Sequence, residues 1–181
     1  MILPKLLVAT IFLLALHPQQ TTSSTDRKVL KSPSGEYELT IVPEQERGVG
    51  PGLYEMRRNG QIVWQGERPF FLRGAVVGNV GGVIGFSLPA GLHHMTDVKD
   101  ELHIWHIDAT GAAKKLKSYE RHFWAFDAPS APNGGDVQIY EPSGIAMVPI
   151  SGLMESYTPQ GSKFLFFKLS NGAEAGSWEP S

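Results

Sequence analysis

Five of the six histidines fall in the middle of the chain, at His93, His94, His103, His106 and His122, with Asp97, Asp100 and Asp108 among them. The chain has no cysteine, so imidazole and carboxylate are the ligands left to it for a metal site. His93, His94 and His103 are the candidate ligands: the first two lie in the loop Pro89–Asp100, within swinging distance of a strand that carries the third. His106 does not join His103 on one ion unless a bulge intervenes. Side chains alternate along a strand with period two, so His103 and His106, three residues apart, point to opposite faces. The simpler account leaves these histidines solvated or locally hydrogen-bonded, and no cofactor is expected.

Other catalytic patterns are incomplete. Gly85-Phe86-Ser87-Leu88-Pro89 opens like a nucleophile elbow but lacks the closing glycine and the following helix. Glu36 with Glu38, or Asp97 with Asp100, supply carboxylate pairs without any sign that they flank a scissile bond. Gly78, Gly81, Gly82 and Gly85 have neither the dinucleotide nor the P-loop spacing, so they read as a turn between two buried strands. No catalytic residue is assigned. The aromatic residues are more informative. Most fit a packed core, while Phe123, Trp124 and Trp178 are the candidates for an exposed ligand- or partner-binding platform.

The elements that carry these residues are strands. The chain is 41% apolar and 10% aromatic, enough for a core, and its 20 Gly and 13 Pro punctuate it throughout. Asn59-Gly60 between two apolar runs predicts a type I′ hairpin over Leu53–Trp64, and Asn171-Gly172 predicts another over Phe164–Trp178. A third hairpin turns on Asp108–Gly111 within Glu101–Glu120. Gly74–Val77 with Val83–Leu88, and Val137–Tyr140 with Ile145–Ile150, are predicted strand pairs. Pro149 cannot donate to a ladder, which predicts that its strand lies at a sheet edge.

The hairpins group into three approximate units, over about 29–67, 70–120 and 122–178. In this rhythm the chain resembles the four-stranded blades of β-propeller proteins, among them the tryptophan-aspartate repeat, kelch and bacterial lactonase-like groups. The Gly-His and Trp-Asp signatures of the first group are absent. Propellers close with about four to eight blades. Three units therefore imply a part-propeller, a ring completed by other copies, or a sandwich or barrel. The expected fold class is all-β: antiparallel hairpin repeats in a single domain over 25–181, forming a sandwich, a barrel or a part-propeller.

Leu6–Leu16 is a nearly continuous apolar run behind Lys5. It has the length of a signal-peptide core and is too short for a stable membrane span. A leader over 1–24, cut between Ala15 and Ser24, implies a secreted or periplasmic protein, and the absence of cysteine fits a bacterial one. The formal net charge of −2 gives no reason to expect nucleic acid. The function expected is an exported binding or interaction module for an unknown protein or small molecule. The alternatives are a hydrolase or metal enzyme built on the central His/Asp loop, or a structural envelope protein that assembles as a homo-oligomer.

Overall fold

The computed structural model describes residues 27–45, 50–89, 99–122, 137–140, 143–150, 154–155, 158–159 and 163–179. The candidates His93, His94, Phe123 and Trp124, and the expected leader, lie outside the described residues. Among the described residues every regular element is a strand, and no helix is long and apolar enough to cross a membrane.

Three four-stranded antiparallel sheets follow one another along the chain. The first is β1 (Lys28–Lys31), β2 (Tyr37–Pro43), β3 (Gly52–Arg58) and β4 (Gln61–Arg68), in that spatial order. The second is β5 (Gly74–Val77), β6 (Val83–Ser87), β7 (Lys99–Ile107) and β8 (Ala113–His122), again in order. The third begins with β9 (Gln138–Tyr140) and β10 (Ile145–Ile150). A short pair, β11 (Met154–Glu155) and β12 (Thr158–Pro159), then intervenes before β13 (Lys163–Lys168) and β14 (Glu174–Trp178) complete the order β9-β10-β13-β14. The sheets are separate, so the fold is not a closed barrel. It is a stack of three blade-like sheets.

Alternation decides which face each strand buries. In β2, Tyr37, Leu39 and Ile41 point inward and Glu38, Thr40 and Val42 outward. With Tyr54, Met56 and Trp64 they pack on Phe70, Phe71, Leu72, Val77, Val83 and Ile107 of the second sheet and its entry. The opposite face of the second sheet, with Ile84, Leu102 and Ile104, packs on Ala146, Val148, Ile150, Leu165 and Phe167 of the third. The second sheet is therefore buried on both faces between two hydrophobic clusters. Each fully buried aliphatic side chain in them contributes about 2 kcal/mol.

Turn chemistry follows the sequence closely in the first sheet. Asn59 and Gly60 have φ of 50° and 81°, the pair of positive values that a type I′ turn requires. The turn before β14 is longer than the Asn-Gly dipeptide alone predicts. Ala173 O accepts from Lys168 N at 2.8 Å, and Gly172 carries the positive φ of 69° while Asn171 accepts from Ala173 N through Oδ1. The reason is Leu169, which is drawn into the second cluster while its N–H donates to Gly144 O.

The edge position expected from Pro149 is corrected: β10 is interior, with β13 on one side and β9 on the other. Its pairing with β9 ends at Met147–Gln138. Pro149 has the same strand parity as Met147, so its missing N–H faces the side where β9 has already stopped.

Between β7 and β8 the Asp108 carboxylate is a local staple. Its Oδ1 accepts from Thr110 Oγ1 (2.7 Å), Thr110 N (2.8 Å) and Ala112 N (3.0 Å). The Thr110 hydroxyl bond chiefly, then the two backbone bonds, hold this carboxyl below the usual aspartate range. A depressed pKa adds stability above the unfolded value, near 4, that fades as pH falls through the folded value. Asp108→Asn is therefore expected to cost about 1 kcal/mol at neutral pH. In urea unfolding at a series of pH values, the gap to the parent should close below about pH 4. A gap independent of pH would show that the charge is not the stabilising feature.

Candidate functional site

A cleft of about 220 Å³ opens at one end of the seam between the first two sheets. Its lining comes from distant segments: Gly50, the connector Pro69–Phe71, Ser87–Pro89, His103 and Trp105 on β7, and Lys115 on β8.

Tyr54 fixes the connector from behind. Its hydroxyl donates to Phe70 O (2.9 Å) and accepts from Leu72 N (3.0 Å). Burial pushes this phenol well above the usual tyrosine range, which keeps it a neutral donor and acceptor. So held, Phe70 lies edge-on to Tyr54 (ring centroids 5.9 Å, 65° between planes) and stacks on Trp105 (3.9 Å, 15°). Lys28 bonds Arg73 O at the far end of the connector and stands 5.5 Å over the Phe71 ring.

Strand pairing brings the remaining groups together. Ser87 is directly opposite His103, and Lys115 directly opposite Trp105, all on the face of the second sheet turned toward the first. Trp105 Nε1 donates to Ser87 Oγ at 2.9 Å. His103, with a side chain only 13% exposed, holds Glu101 Oε2 through Nε2 at 2.5 Å. That hydrogen bond, followed by charge attraction, draws the Glu101 carboxyl below the usual glutamate range. The His103 ring meets the Trp105 ring edge-on at 6.1 Å. The result is a rigid aromatic wall with an imidazole and an exposed ammonium beside it.

Ser87, His103 and Glu101 have the residue types of a hydrolytic triad without its geometry. The Ser87 hydroxyl, 2% exposed, makes its hydrogen bond with Trp105 rather than with His103. A nucleophile needs its base within hydrogen-bond reach. Among the described residues no group of three His, Asp or Glu side chains is placed to hold a metal ion.

The sequence candidates are dispersed. His103 lies in the cleft. His106 is on the other face of β7, 5% exposed, with Nε2 at 3.0 Å from Leu169 O; a carbonyl only accepts, so that nitrogen carries a proton. Trp178 is on β14 of the third sheet, 56% exposed and 5.3 Å from the Phe164 ring. Sequence reasoning missed Phe70, Phe71 and Lys115. The available signal was the pair of adjacent aromatics behind Pro69, in the connector between the first two sheets. Comparison of the chain with protein-family models and with curated proteins gives no match.

Proposed function

We propose that the protein is an exported binding module that seats a single ring or a partner's side chain in the cleft. The supporting observation is the Phe70–Trp105 stack, locked by Tyr54 and Ser87, with His103 and Lys115 at its edge. An apolar wall with a few fixed polar groups is the usual composition of a ligand site. Its size sets the ligand. Sites for drug-sized molecules run from about 300 Å³ upward, so this one takes one ring rather than a whole cofactor. The exposed Lys115 ammonium in the lining favours a ring that carries a carboxylate or another acceptor.

The test is a screen of uronic acids, aromatic carboxylates and short acidic aromatic peptides, followed by amide and indole NMR shifts. The expected binder moves the Trp105 indole resonance, and Lys115→Glu raises its Kd by about tenfold, equivalent to about 1.4 kcal/mol. Binding that leaves the Trp105 resonance still and is indifferent to Lys115→Glu would place the ligand elsewhere. Export is part of the same proposal. Intact mass of the exported protein should show a start between residues 15 and 24, and an uncut chain would remove that part of it.

A further inference from the structure

The two outer faces of the stack differ from an ordinary solvated surface. In each of the first two sheets, the face of the third strand that looks onward along the stack is covered. Tyr54 and Met56 of β3 are buried under the second sheet, and Ile104 and His106 of β7 under the third. The matching positions in the third sheet, Phe164 and Phe166 of β13, look away from the second sheet. They are flanked by Trp178, directly opposite Phe164, and by Tyr140, whose ring lies 6.5 Å from Phe166. The last sheet thus carries an aromatic face at positions that the other two sheets cover with a neighbour.

At the other end, the back face of the first sheet carries Val29, Leu53 and Ile62, each about half exposed. Pairing places them on the face opposite Leu39 and Met56. Four of the charges among them are matched in pairs, Lys31 with Glu38 at 3.2 Å and Arg57 with Glu55 at 2.7 Å, while Glu67, opposite Leu53, is exposed on the same face. Covering this face therefore leaves none of these four charges alone. Of the large apolar side chains that the described residues expose, most stand on these two end faces or beside them. Singly scattered apolar residues need no explanation, but clusters at the two ends of a stack do.

We propose that the partner of each end is a second copy of this chain, bound head to tail. The third sheet of one copy packs on the back of the first sheet of the other, twice, around a two-fold axis. The first strands of successive sheets lie beside one another, β1 by β5 and β5 by β9, so the sheets fan from a common line as blades do. Three blades leave the fan open, whereas six fall within the four to eight at which propellers close. Two-fold dimers are also the commonest soluble assembly. The cleft beside Trp105 lies between two sheets of the same copy and does not depend on this contact.

Light scattering and sedimentation of the exported protein over a concentration series should give twice the chain mass. Trp178→Glu and Leu53→Arg should each raise the dissociation constant by at least about a hundredfold and yield folded monomer by circular dichroism. An equimolar mixture of the two should dimerise again, because the mixed dimer retains one untouched interface. Tyr140→Asp and Ile62→Glu form a second pair with the same expectation if either first variant fails to fold. A parent protein that stays monomeric, substitutions without effect, or mass that grows without limit would each overturn the proposal. So would a mixture that stays monomeric, since an aromatic face pairing with its own copy gives no such rescue.

Discussion

Gly82→Ala is expected to destabilise the fold by about 3 kcal/mol, at the upper end of the usual cost of overpacking. A Cβ at position 82 would stand 1.9 Å from Leu169 O and 2.9 Å from Leu169 C. Neither atom is the movable end of a side chain. Leu169 O is held by His106 Nε2, and Leu169 N donates to Gly144 O, so the backbone cannot retreat without breaking buried hydrogen bonds. Gly144→Ala is the comparison. It has a φ of 62° but no atom within 4 Å of its added Cβ, so only the left-handed backbone is penalised, at about 1 kcal/mol. Urea unfolding of both variants separates the two causes. Equal losses would mean that the contact between the second and third sheets at Leu169 is not close.

This position also shows how much of the molecule the sequence discloses. The glycines of Gly78–Gly82 read correctly as a turn between two strands, because turn formation is a local matter of backbone freedom. Their second purpose is not local. Gly81 lies against the Tyr37 ring from the first sheet, and Gly78 and Gly82 against Leu169 from the third. A single turn thus takes contacts from both neighbours, joined by the bond from Ser34 N to Asn79 Oδ1. The hairpins on Asn59-Gly60, Asp108–Gly111 and Asn171-Gly172 were legible for the same local reason. Pro149 was misplaced because its meaning depends on where a neighbouring strand ends. The cleft was illegible as a unit. Phe70, Ser87, His103 and Lys115 meet only through the strand register of the second sheet and the Tyr54 clamp, and neither leaves a spacing in the chain.

Phe167→Ala is expected to cost about 4 kcal/mol, in the range for removing a buried aromatic ring. Phe167 is 1% exposed at the centre of the cluster between the second and third sheets, beside Leu165, Ala146 and Val148. The cluster between the first and second sheets shares none of these residues. The two interfaces are therefore separate in their packing, linked through the body of the second sheet. Across the second interface, the polar ties among the described residues include the bond of His106 Nε2 to Leu169 O at 3.0 Å and the ion pair of Lys117 with Glu174 at 2.7 Å. Both partners of the ion pair are about a third or more exposed, so it contributes little. Loss of the ring should thus release the third sheet before the first. In hydrogen exchange, the amides of β10 and β13 should open about a thousandfold more often than in the parent, the equivalent of about 4 kcal/mol, while those of β2 and β3 keep most of their protection. Equal loss in all three sheets would show that the stack unfolds as one cooperative unit, with the second sheet transmitting the defect from one cluster to the other.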